Sequence, residues 1–298
     1  MIVPRRRDQW VGWLFVSPVI VPLGVFVVWP FLNTVRLAFY EVDLRGRVGR
    51  FIGWDHVTAV LGSEELRSSL TATATFVLLT APLGVVLGLG LALLAQRRVR
   101  GIGFFRVVFS STIVSSGALS AALFTTLLAP TTGAIRYALQ TVGVWGPDDR
   151  IDLLHDPTWA IFAVACVTIW TSLGLGFILF SAALQSVPNA LYEAARLDGC
   201  HSCALFRHVT LPMIRPMIGF ASIAASVNGV LAFGQIDLLT KGGPNGRTNV
   251  LAYALYQKAF RDNDQSQSSV LAMVLIIICV LLGAVQVRFY RSRDASSI

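Results

Sequence analysis

The chain is 298 residues long, 55% hydrophobic and 13% charged, against roughly 25% charged residues in an ordinary soluble domain. That balance excludes a water-soluble globular fold. The net charge of +8 does not point to nucleic acid, because the arginines cluster at 5–7, 97–100 and 288–293, each against a long uncharged stretch.

Those uncharged stretches cover 9–35, 68–96, 107–135, 157–192, 216–236 and 265–287. A helix of roughly 20 residues crosses a bilayer core of about 30 Å, so each stretch is long enough. Lipid offers no partner to backbone polar groups, which leaves helices or closed barrels, and the alternating pattern of a barrel is missing. The expectation is an all-α polytopic membrane protein with six transmembrane helices. One membrane domain, 1–298, holds spans at about 11–35, 69–95, 104–128, 158–184, 213–236 and 268–287. A cytoplasmic segment, 185–212, separates spans four and five.

The first span follows Arg5, Arg6 and Arg7 as a signal peptide would. No small-x-small cleavage site comes after it, so it is expected to stay as an anchor. Basic residues tight against the inner ends place both termini in the cytoplasm. Two outer segments, Phe51-Ile52-Gly53-Trp54 and Val144-Trp145-Gly146-Pro147, are expected to form ordered caps on the membrane surface. In span two, Gly84 and Gly88 have the small-x-x-x-small spacing that admits a neighbouring helix, a spacing common in polytopic proteins. Ser115, Ser116 and Ser120 in span three, and Thr168, Thr171 and Ser172 in span four, offer hydroxyls either to a pathway or to their own helix backbones.

The segment between spans four and five reads Glu193-Ala194-Ala195-Arg196-Leu197-Asp198-Gly199, then nine residues, then Val209-Thr210-Leu211-Pro212. Pro188-Asn189 begins a short helix, with Asn189 as its cap and Glu193 near its positive end. Ala190, Leu191, Ala194, Ala195 and Leu197 give it small apolar surfaces, and Gly199 turns the chain. A second helical piece, 200–208, follows, and Pro212 and Pro216 restart the chain into span five. Cys200-His201-Ser202-Cys203 has too few ligands for a structural zinc, with only His208 nearby, so no metal is expected.

In span five, Ala221, Ala225, Asn228, Ala232 and Gln235 fall at helical steps on one face, with Ser226 and Gly229 beside them. This stripe either lines a solute path, its amides meeting hydroxyls, or packs a neighbouring helix with Asn228 as an interhelical hydrogen bond. No Asp, Glu or Lys lies inside any span, which favours an external energy source over ion coupling. Gly242 to Thr248 fails the phosphate-loop pattern: Arg247 stands for the lysine and the spacing is one residue short.

The segment from Glu193 to Pro212 resembles the coupling loop of binding-protein-dependent ABC importer permeases. Its full spacing is kept, with Val209 where the family carries Ile. The outer stretch Thr240-Lys241-Gly242-Gly243-Pro244, with Thr248, Tyr253, Tyr256 and Ala259-Phe260, resembles the maltose and glycerol-phosphate class of carbohydrate permeases. The resemblance implies a bacterial inner-membrane permease subunit for a sugar, a glycerol-phosphate or a glycerophosphodiester. It implies that Glu193, Ala194, Ala195, Asp198, Gly199, Leu211 and Pro212 couple to an ATPase. It also implies a second homologous permease, an ATPase dimer carrying ATP and Mg, and an extracytoplasmic solute-binding protein, with no cofactor on this chain and no enzymatic activity of its own. The alternative is a six-span secondary transporter or channel without ATPase partners.

Overall fold

The computed structural model describes residues 6–43, 46–96, 101–114, 116–143, 146 and 152–295. The expectations on Arg5, Arg97–Arg100, Ser115, Val144, Trp145 and Pro147 lie outside those residues. The first apolar run is α1 (Arg6–Leu23), a π turn and α2 (Trp29–Leu37). A hairpin of β1 (Tyr40–Val42) and β2 (Val48–Phe51) leads to α3 (Trp54–Leu61) and the long α4 (Glu64–Ala95). Next come α5 (Ile102–Ser111), α6 (Gly117–Leu127), α7 (Ala134–Thr141) and α8 (Ala160–Gln185). The segment expected to couple comprises α9 (Asn189–Leu197), α10 (Ser202–Leu205), a π turn and α11 (Leu211–Met213). The chain closes with α12 (Arg215–Val230), α13 (Gly234–Leu239), α14 (Leu251–Tyr256), another π turn and α15 (Gln265–Ala295).

Among the described residues, four helices are long and apolar enough to cross a bilayer: Leu14–Leu37, Glu64–Ala95, Ala160–Gln185 and Gln265–Phe289. A fifth candidate is the pair Ser202–Met213 and Arg215–Val230, bent by 68°. The third apolar run is divided. Its two helices have 10 and 11 residues, each too short to span alone, and a 3-10 turn at Thr112–Val114 interrupts them. Ser116 then starts α6 from an extended backbone, its hydroxyl accepting from the Leu119 N–H at 3.2 Å. The fifth run also breaks. Helix α12 stops at Val230, and Phe233 at φ −121° precedes α13, so no single helical face runs from Ala221 to Gln235.

The molecule divides into two compact units, Met1–Ser63 with Leu255–Val274, and Glu64–Ala254 with Leu275–Ile298. In the first, a short β1–β2 hairpin accompanies the helices, pairing Tyr40 with Phe51 and Val42 with Val48. Ser266, in the first turn of α15, stabilises that hairpin. Its hydroxyl accepts from the Val42 N–H at 3.0 Å and donates to the Tyr40 carbonyl at 2.8 Å. Of the segment 51–54, Phe51 ends β2 and Trp54 opens α3, which buries Val57 and Val60. Trp54 packs edge-on against Phe39, with ring centroids 5.1 Å apart.

The second unit is built on α4 against α8 and α12. With 32 residues, α4 is about 48 Å long at 1.5 Å per residue. Gly84 and Gly88 do form a close helix interface. A Cβ at Gly84 would lie 3.6 Å from the Ser172 Oγ of α8, and one at Gly88 would lie 3.4 Å from the Gly176 backbone. Two residues from each of these on α8, Gly174 abuts the 3-10 turn of the divided third run. Buried hydroxyls on α4 satisfy themselves locally, Thr73 on the Ser69 carbonyl and Thr80 on the Phe76 carbonyl. Thr168, Thr171 and Ser172 on α8 likewise donate to their own helix, at 3.0, 2.9 and 2.8 Å.

Candidate coupling site

Helix α9 starts after Pro188, whose extended backbone (ψ 131°) is the cap and carries no side-chain hydrogen bond. Asn189 is the first helical residue, which corrects its expected role as the cap. Proline suits that boundary because its fixed φ is compatible with a helix start and its missing N–H is not needed there.

The other end of α9 is a Schellman turn. The Gly199 N–H bonds the Arg196 carbonyl at 3.0 Å, and the Cys200 N–H bonds the Ala195 carbonyl at 2.9 Å. Gly199 takes φ +79°, a left-handed conformation that a side chain disfavours, and open space surrounds the position of a Cβ. The chain therefore reverses at Gly199 without filling the surface beside it.

One side of this helix is anchored and the other is bare. Tyr192 packs with Val209 against the buried cluster of Phe177, Phe180, Leu184, Val187 and Ile214. The Tyr192 hydroxyl meets the Thr210 hydroxyl at 3.0 Å, 18 residues further on. Facing away, Glu193, Ala194, Arg196, Asp198 and Gly199 are exposed, and Leu197 is 90% exposed. Among the described residues, the Glu193 and Asp198 carboxylates make no hydrogen bond or ion pair. This side of α9 thus presents an exposed leucine beside small residues and unpaired carboxylates. Ala195 is half-buried, and Leu211 and Pro212 lie on α11, where the chain bends into α12. The structure thus gathers Glu193 to Gly199 into one projection and places Leu211 and Pro212 at its base.

Tyr192 escaped sequence reasoning because its partner lies far along the chain. The available signal was an aromatic hydroxyl inside an otherwise small and charged segment. Removing that hydroxyl in Tyr192→Phe is expected to loosen α9 by about 1 kcal/mol. Faster hydrogen exchange at amides 190–198, with unchanged exchange in α4, is the check; unchanged exchange throughout would show that the bond does not hold the helix.

The residues proposed for a solute path separate into two groups. Ser226 is buried, receives the Gln286 side-chain N–H at 2.9 Å and donates to the Ser222 carbonyl at 2.8 Å. Gly229 is pressed on α4, where a Cβ would meet Val77 and Thr80 at 3.1 Å. Ala232 is buried at the break after α12, Ala225 is half-buried and Asn228 is exposed. Gln235, on α13, approaches the first residue of α6, with its Nε2 3.5 Å from where a Gly117 Cβ would be.

The motif at 240–248 is a hydrogen-bonded turn. The Thr240 and Thr248 hydroxyls meet at 2.8 Å, and Thr248 donates to the Gly243 carbonyl at 2.6 Å. Gly242 has φ +80°, and a Cβ there would fall 2.8 Å from the fully buried Tyr253 ring, so only glycine fits. Behind the turn, the Leu251 N–H donates to Thr73 of α4 at 2.8 Å.

A model of the family described as binding-protein-dependent transport system inner membrane component matches residues 84–294. The sn-glycerol-3-phosphate transport system permease protein of Agrobacterium fabrum is 30% identical over 283 residues, 94% of each chain. The lactose transport system permease protein of Rhizobium radiobacter is 29% identical, covering 95% of this chain and 94% of that one. In fold, the chain is similar to a chain of a bacterial ABC transporter involved in the import of the acidic polysaccharide alginate. The TM-score is 0.82, with 22% identity and 96% of each chain covered.

Proposed function

This chain belongs to the family of binding-protein-dependent transport system inner membrane components, a multi-pass permease of an ABC importer, and from that premise we propose how it works. The α9 projection is the cytoplasmic coupling helix, and the exposed Glu193–Gly199 surface docks in a cleft of an ATPase subunit. The observation that carries this reading is the combination of a bare Leu197 with a left-handed Gly199 on a helix anchored from behind by Tyr192.

In this proposal the complete importer contains this chain, a second homologous permease, two ATPase copies that bind ATP and Mg, and an extracytoplasmic solute-binding protein. Both termini face the cytoplasm. The six spans are α1–α2, α4, the divided α5–α6, α8, the bent α10–α12 with α13, and α15. Closure of the ATPase dimer pulls on α9, and α11 transmits the pull through Leu211 and Pro212 to α12. Coupling requires that the helix dock differently in the two states of the ATPase, since only differential contact shifts an equilibrium. The solute is a sugar or a glycerol-phosphate or glycerophosphodiester, a class supported by the names of the relatives. Its path runs along the open side of α12 at Ala225 and Asn228 and continues past Gln235, backed by the packed Ser226, Gly229 and Ala232.

Purification of the tagged chain from its native membrane in mild detergent tests the assembly. A second permease and an ATPase chain are expected to accompany it. Reproducible purification alone, with uptake indifferent to ATP, would overturn the proposal in favour of a secondary transporter.

A further inference from the structure

At the outer ends of α4 and α8 lies a cavity of about 560 Å³, walled on its third side by the Asn245–Arg247 end of the outer turn. That volume suits a small solute, since ligand sites run from roughly 300 to 1,000 Å³. Two guanidiniums, Arg67 and Arg247, enter its lining against one carboxylate, Glu64. Glu64 approaches Arg67 at 3.6 Å on the same helix face, which leaves a net positive charge concentrated at Arg247. The turn holds Arg247 in place: its N–H bonds the Pro244 carbonyl at 3.0 Å, and the adjacent Thr248 is locked to Thr240.

The rest of the lining adds a second chemistry. The Thr71 and Thr75 hydroxyls donate to the Arg67 and Thr71 carbonyls, both at 2.9 Å, so their oxygens remain as acceptors for incoming hydroxyl groups. Phe162 offers an exposed ring to the C–H face of a polyol. Just before α8, the Asp156 carboxylate accepts from the Thr158 and Trp159 N–H groups at 2.7 and 3.2 Å, so these two amides are already taken.

We propose that this cavity is an outer receiving site for a small hydroxylated anion, a polyol phosphate or a sugar acid, whose oxyanion meets Arg67 and Arg247. The proposal rests on the importer reading and narrows its solute class. Guanidinium is the suitable cation, being permanently charged and shaped for phosphate or carboxylate oxygens.

The test uses the co-purified importer in lipid nanodiscs, titrated with sn-glycerol 3-phosphate and glucuronate beside their neutral counterparts glycerol and glucose. At least one anionic probe is expected to bind while the neutral pair does not bind in the same range. Arg67→Gln and Arg247→Gln are each expected to weaken that affinity about tenfold, and to flatten its dependence on salt. Equal affinity in wild type and the double variant, or no binding of either anion by wild type, would overturn the proposal. So would variants that keep the anion but lose the extracytoplasmic binding protein, because the arginines would then serve protein docking. Co-purification of the ATPase chain is read separately on wild type, so the cavity proposal fails without taking the importer assignment with it.

Discussion

Leu197→Asp is expected to lower ATP-driven uptake about thirtyfold, with no loss of folded protein from the membrane. Leu197 is 90% exposed, so its replacement disturbs no internal packing. The same side chain buried in an ATPase cleft would contribute as an interface anchor does, and a charge there would be desolvated without a partner. Glu193→Lys is expected to act in the same direction, since the Glu193 carboxylate is exposed on the same projection. Reconstituted proteoliposomes loaded with ATP give uptake, and detergent size-exclusion profiles give folded yield. Wild-type uptake by both variants would remove α9 from the coupling path.

Gly174→Ala is expected to destabilise the membrane domain by about 1–3 kcal/mol, whereas Gly176→Ala, two residues on, costs less than about 1 kcal/mol. The contrast comes from what each new methyl meets. At Gly174 it would lie 2.5 Å from the Thr112 Oγ1 and 2.6 Å from the Ile113 N, so the 3-10 turn of the third run must move. At Gly176 it would lie 3.7 Å from Gly88, an ordinary van der Waals distance. Thermal unfolding in detergent, followed by tryptophan fluorescence, separates the two. Equal midpoints would show that the divided third run is not seated on α8 as described.

These two sites differ in how far the sequence revealed them. The Glu193–Gly199 segment was legible because its spacing is local: a short helix, small apolar residues and a glycine that ends it. Local hydrogen bonds then produce the turn at Gly199, with partners three and five residues back. Gly174 was not legible, since nothing nearby in sequence announces Thr112 as its neighbour. Hydropathy reports how apolar a stretch is and says little about whether its helix is continuous. The breaks at Thr112–Val114 and at 231–233 therefore passed unseen in otherwise uninterrupted apolar runs.

The second break also explains why a face counted at helical steps dissolved. Asn228 stays on α12, Ala232 sits in the gap and Gln235 belongs to α13, so 3.6-residue periodicity no longer relates them. The packed side of α12 could not be told from the open side by composition. Serine and glycine serve both helix contact and a polar path, and only the Ser226–Gln286 bond and the Val77 contact at Gly229 distinguish them. By contrast, the Gly84 and Gly88 spacing was readable and met a matching Ser172 and Gly176 pair on α8. The hairpin at residues 40–51 was hidden by its brevity, with strands of three and four residues whose stabilising Ser266 is more than two hundred residues away.

The most direct measurement places a photo-crosslinking amino acid at Ala194, on the bare face of α9, in the complete assembly within native membranes. The account predicts one crosslinked product containing this chain and the ATPase subunit, with a yield that changes when ATP is trapped. A crosslink to the extracytoplasmic binding protein alone, or none to any ATPase chain in either nucleotide state, would contradict it.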